Sequence, residues 1–119
     1  MRLAWLVAAC VLAALLAGVH LYALPHYWYW YFPWLDVPVH LLGGLFMGTA
    51  VVGVLGRFRP RIFLIVVTVG AVGWELFELG INYTREINFV FDTALDLLMD
   101  AIGIILSYAV ARLTIWRLR

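Results

Sequence analysis

The chain has 119 residues, 66% of them hydrophobic and only 13% charged, with a formal net charge of +1 and a mean hydropathy of +1.02. A soluble domain sits nearer half apolar and a quarter charged, so this composition predicts a polytopic membrane protein of one domain, residues 1–119. The near-neutral charge excludes a basic surface for nucleic acid, and the single cysteine, Cys10, excludes an internal disulfide or a cysteine-based metal cluster.

The first apolar run, 3–24, is long enough to cross a hydrocarbon core about 30 Å thick, which takes about 20 residues. Arg2 followed by Val7-Ala8-Ala9-Cys10 also fits a lipoprotein signal. The apolar stretch before Cys10 is short, however, and continues well past it, which predicts a retained helix. Its small residues Ala4, Ala8, Ala14, Ala17 and Gly18 predict a face for close helix packing. His20, near the outer end, reads as an interfacial residue. Residues 26–34 read His-Tyr-Trp-Tyr-Trp-Tyr-Phe-Pro-Trp. Rings with one polar edge favour the headgroup zone, and Pro25, Pro33 and Pro38 break the segment into a loop or short in-plane helix. It serves as an interfacial belt or as a platform for a lipid or sugar headgroup.

Three further spans follow, about 36–56, 62–83 and 93–116. In the second, Gly44 and Gly48 form a small-xxx-small pair with His40 on the same side. With the N-terminus inside, Arg2, Arg57, Arg59, Arg61, Arg112, Arg117 and Arg119 are all cytoplasmic, and only Arg85 lies outside. This positive-inside pattern predicts an all-α bundle of four transmembrane helices with both termini cytoplasmic.

Function is expected where charge interrupts this apolar sequence. At 1.5 Å per residue, Glu78 and Glu75 lie roughly 8 and 12 Å below the outer end of the third span. Asp96 and Asp100 lie roughly 6 and 12 Å below the outer end of the fourth, and His40 roughly 6 Å below that of the second. Three helices thus bring ionisable groups to one layer. Glu75, Glu78 and Asn82 share a side of one helix; Asp92, Asp96 and Asp100 share a side of another, continued inward by Gly103 and Ser107. Asp36 and His40 are one turn apart. An acidic group near the bilayer centre costs about 2.5–3.5 kcal/mol on the insertion scale, so these face the bundle interior. Crowded carboxylates do not all stay ionised without a counter-charge. Three solutions stand open: a bound cation, a protonated carboxyl network, or Arg85 reaching back. Carboxylates suit a hard cation such as Mg, and a histidine beside them widens the choice to Mn, Fe or Zn. Asp36 and Asp92 fit equally well as helix N-caps.

The ordered set Trp74-Glu75-x-x-Glu78, then Asp92-Thr93-x-x-Asp96-x-x-x-Asp100, then Gly103 resembles the YjdF-like bacterial inner-membrane proteins. More widely, Asp36-x-x-x-His40, an acidic helix, Arg85, and Asp96-x-x-x-Asp100-x-x-Gly103 resembles the VanZ-like family. Asp100 stands where that family has Asn, which favours the YjdF-like side. The resemblance implies the fold and the site more than a reaction; the VanZ-like family is linked to glycopeptide resistance, and neither family implies a settled mechanism.

Three functions compete. The first is an enzyme at the outer leaflet acting on a membrane lipid or lipid-linked envelope precursor. Here Glu75, Glu78, Asp96 and Asp100 act as metal ligands or acid–base groups, and His40 as ligand or proton shuttle. Arg85, with Asn82 nearby, would hold an anionic headgroup. The second is a transport component for protons or a divalent cation. The third is a non-catalytic membrane partner, self-association included.

Overall fold

A computed structural model of the chain describes residues 1–81 and 88–117. Four long helices, α1 (Arg2–Ala23), α3 (Asp36–Leu55), α4 (Pro60–Ile81) and α5 (Phe89–Leu113), are each long and apolar enough to cross a membrane. No strand occurs among the described residues. The punctuation is local. Gly56 ends α3 at φ +66°, a left-handed conformation that glycine adopts without strain. Pro60 opens α4, where its missing N–H removes no helical bond. Between α1 and α3 the aromatic segment forms one turn of helix, α2 (Trp28–Tyr31), and a 3-10 turn, Pro33–Leu35. The prolines predicted a loop or a short in-plane helix there, and the segment takes the helical form.

The four expected spans occur in number and order; α4 starts at Pro60 rather than at 62, its expected end at 83 lies outside the described residues, and the last span differs at both ends. α5 starts at Phe89 rather than at 93, with Asn88 as its N-cap, and Asp92 falls in its first turn. Leu35 is the N-cap of α3, and Asp36 is its first helical residue. Neither aspartate is a cap. At the far end α5 stops at Leu113, short of 116. The Thr114 hydroxyl donates to the Val110 carbonyl at 2.7 Å, and the Trp116 N–H turns back to the Ala111 carbonyl at 2.8 Å. Trp116 is thereby buried against Phe58, Phe63 and Tyr108, where the large area of its indole closes an apolar core with Val52 and Val67. Arg2 ties down the same end, donating to the carbonyls of Gly53 and Val54 at 2.8 Å each.

The central element is α3, which packs against α1, α4 and α5. Its contact with α5 is the closest in the molecule. His40, Gly44, Gly48 and Val52 form a buried stripe on α3, and Asp96, Asp100, Gly103, Ser107 and Ala111 form its counterpart on α5. A methyl group at Gly44 would overlap the Asp100 carbonyl; one at Gly103 would stand 2.5 Å from the Leu41 oxygen and the Leu45 nitrogen. These neighbours are backbone atoms and cannot turn aside. The two helices touch main chain to main chain, as the glycine spacing and Gly103 with Ser107 predicted. The Ser107 hydroxyl donates to the Leu45 carbonyl at 3.1 Å and lies 3.2 Å from the Thr49 hydroxyl, locking the register one turn further in.

The small residues of α1 do not form its packing face. Ala4, Ala8, Ala14, Ala17 and Gly18 are exposed, and the side turned to the bundle runs Leu6, Ala9, Ala13, Leu16, His20 and Ala23. Small size alone does not select a face; an unbroken stripe at steps of three and four along one partner does.

The glycines therefore divide into two classes with opposite expected effects. Gly44→Ala and Gly103→Ala should each destabilise by about 1–3 kcal/mol or more, since neither backbone has room to yield. Gly73→Ala and Gly80→Ala, where a methyl group meets nothing within 4 Å, should be neutral or stabilising by up to about 1 kcal/mol. Denaturant titration of the four variants in one detergent checks the order.

Candidate metal centre

Just above the Gly44–Gly103 contact, the same helices present His40, Asp96 and Asp100 to one another. Helix periodicity does the placing: His40 is one turn from Gly44 on α3, and Asp100 is three residues from Gly103 on α5. α4 adds Glu75 and Glu78. The His40 imidazole stands at the centre. Its Nε2 lies 3.7 Å from both Asp36 Oδ1 and Asp96 Oδ1. Its Nδ1 lies 3.6 Å from Asp100 Oδ1 and 3.8 Å from Glu75 Oε1. His40, Glu75, Asp96 and Asp100 are 3–6% exposed, so one ring and three carboxyl groups are shut in together.

The distances discriminate between ways of holding such a group. All four are too long for direct hydrogen bonds, which for N–H···O fall near 2.7–3.2 Å. They are ion-pair distances, and because the two ring nitrogens point away from each other a single ion would meet either the Nε2 side, with Asp36 and Asp96, or the Nδ1 side, with Glu75 and Asp100. Two overlapping triads meet at His40. In one, ligand atoms of Asp36, His40 and Asp96 lie within 4.8 Å of one another; in the other, those of His40, Glu75 and Glu78 do. A further sign comes from Glu75, whose Oε1 is buried and has no hydrogen-bond partner. A buried polar atom left unpaired costs about 1–3 kcal/mol, more when charged. One imidazole nitrogen with two carboxylate oxygens, as each triad offers, is a donor set of oxygen and nitrogen that suits Mg, Mn or Zn.

The sequence-predicted residues sort cleanly. His40, Glu75, Glu78, Asp96, Asp100 and Asp36 converge. Asp92 lines the adjoining cavity but stands outside both triads. Asn82 and Arg85, expected to bind substrate, lie outside the described residues.

The cavity is the part that sequence spacing missed. It has a volume of about 580 Å³ and opens beside His40, Asp36, Glu78 and Asp100. The aromatic segment contributes Tyr29 and Trp30, and α1 contributes His20. His20 Nδ1 and the Tyr29 hydroxyl are 2.9 Å apart, so a residue read as merely interfacial joins α1 to the segment before α3. Their spacing carries no helical period; the only signal was a polar group at each end of one loop.

No protein-family model, curated protein or solved structure matches this chain.

Glu75 gives the sharpest test of whether the cluster is structural. In chelator, Glu75→Leu should raise stability by about 1–3 kcal/mol, because it removes a buried oxygen with no hydrogen-bond partner. Loss of stability in metal-free protein would instead make Glu75 a structural member of the bundle. Chemical denaturation with and without chelator separates the two.

Proposed function

We propose that this chain is a four-span membrane protein of the bacterial inner membrane, with both termini cytoplasmic, whose outer half holds a divalent cation between α3, α4 and α5. We assign it an enzymatic role on lipid or lipid-linked envelope substrates carrying a phosphoester. The observation that carries the reading is the burial of Glu75, one oxygen of which has no hydrogen-bond partner, beside His40, Asp96 and Asp100. The distribution of arginines supports the orientation, and the resemblance to YjdF-like and VanZ-like proteins agrees with the order of the site residues.

The charge of the cluster sets the chemistry. Without a counter-ion its carboxylates repel a phosphate, so an anionic substrate requires the cation. Two ligand sets are available, Asp36 with His40 and Asp96, and His40 with Glu75 and Glu78; Asp100, 3.6 Å from His40 Nδ1 and lining the cavity, is placed to move a proton at the substrate. A bound divalent ion would supply charge neutralisation and a more acidic bound water. The aromatic segment and the low exposure of the cluster limit access by bulk water.

A transport path is disfavoured by what lies below the cluster. Toward the cytoplasmic end the polar side chains of the α3–α5 seam are Thr49 and Ser107, and each is spent on the other and on the Leu45 carbonyl. A relay needs groups that can pass a proton or ion onward; this seam holds glycine and a locked hydroxyl pair. The site is therefore open to one side.

Purified protein should carry near-stoichiometric metal, lost in an Asp96→Asn/Asp100→Asn double variant, and added Mn at about one hundred times its Kd should stabilise the parent by about 2.7 kcal/mol. Hydrolysis of lipid-linked phosphates should follow metal content. No metal, and a stability indifferent to chelator and to added divalent ions, would overturn the proposal.

A further inference from the structure

The cavity beside the cluster is far larger than an ion requires. At about 580 Å³ it falls in the range of organic-ligand pockets, whereas a water molecule takes about 30 Å³ of liquid volume. Its chemistry is also polarised along its length. At one end are His40, Asp36, Glu78 and Asp100, and the His20–Tyr29 pair also lines it. Gly43 stands beside Asp100, where a methyl group would lie 3.4 Å from Oδ1, and the lining one turn beyond it along the helices is apolar: Ala13 of α1, Phe46 and Met47 of α3, and Gly70 of α4. Neither an ion nor a wholly polar substrate uses that second half, and an apolar cavity does not hold water well.

The depth identifies what does. Met47 lies eleven residues beyond Asp36, roughly 16 Å down α3. Ala13 and Gly70 sit at the middle of the 22-residue helices α1 and α4. Three helices thus bring the apolar end to one level, about half of a hydrocarbon core roughly 30 Å thick. The cavity runs the depth of one leaflet. Its floor is built from a specific pair: a methyl group at Gly70 would stand 2.7 Å from Met47 Sδ, so the Met47 thioether is seated directly on the glycine.

From this we propose that the cavity is a slot for one hydrocarbon chain of an outer-leaflet amphiphile with a phosphate headgroup, with Met47 on Gly70 as the floor that limits chain length. The inference rests on the cation reading for the headgroup, since phosphate would not otherwise sit beside the carboxylates, but the slot itself depends only on shape and depth. Small residues at Ala13, Ala17 and Gly43 leave room for the chain, and Phe46 walls it. Any second chain of the same lipid stays in the bilayer.

The test is photo-crosslinking in phosphatidylcholine nanodiscs with two ligands, dodecyl phosphate and dodecylamine, each carrying a diazirine at the chain end. Adducts are mapped by peptide mass spectrometry with and without Mn. Dodecyl phosphate with Mn should label the slot, on peptides holding Ala13 and Met47, above the lipid-facing Leu64 and Ile105. Gly70→Leu should cut slot labelling by about tenfold, as overpacking a fitted site does, and leave Leu64 and Ile105 labelling unchanged. Ala17→Phe, which narrows the slot from α1, gives the same reading should Gly70→Leu fold poorly. Slot labelling by the amine alone, with none from the phosphate at any Mn concentration, would keep the slot and remove the cation. Labelling by both ligands no higher in the slot than on Leu64 and Ile105 would overturn the proposal.

Discussion

Everything distinctive in this protein depends on how closely α3 approaches α5. A methyl group is excluded at Gly44 and at Gly103 by backbone atoms of the opposite helix. This contact brings His40 within 3.7 Å of Asp96 and 3.6 Å of Asp100. Larger residues at the seam would push the two main chains apart, and His40 away from Asp96 and Asp100 with them. A metal or acid–base constellation tolerates displacements well below 1 Å, so the glycines belong to the chemistry as much as the carboxylates do.

The two ends of the bundle are built on opposite terms. The arginine-rich end is an apolar core with an aromatic plug, Trp116, and with Arg2 satisfying the last carbonyls of α3. It holds the helices together by burial. The other end buries an imidazole and three carboxyl groups and leaves a Glu75 oxygen without a hydrogen-bond partner. Such an arrangement subtracts from stability unless a ligand repays it. A small chain tolerates that cost because the core and the glycine seam are elsewhere.

Much of this was readable from residue order. The four helices followed from apolar runs and their Gly, Pro and Arg punctuation, and the cluster followed from depth and face arithmetic on His40, Glu75, Asp96 and Asp100. The seam was readable because Gly44, Gly48, Gly103 and Ser107 fall on the same faces as those groups. What was not readable depends on tertiary partners. Which stripe of α1 packs was decided by α3, so Ala4, Ala8, Ala14 and Ala17 misled. The return of Trp116 depends on Phe58, Phe63 and Tyr108, from three separate elements. The cavity needed Ala13, Met47 and Gly70 to reach one depth, and nothing in any single helix marks them.

The central claim is that His40 is a ligand in a mixed oxygen–nitrogen cation site. Pulsed electron paramagnetic resonance of Mn-loaded protein tests this directly, since a nitrogen bound to the metal gives a distinct hyperfine signal. The account predicts a single imidazole-nitrogen coupling, present in the parent, retained in Asp92→Asn and lost in His40→Gln. A Mn signal without nitrogen coupling, or one unchanged in His40→Gln, would contradict it.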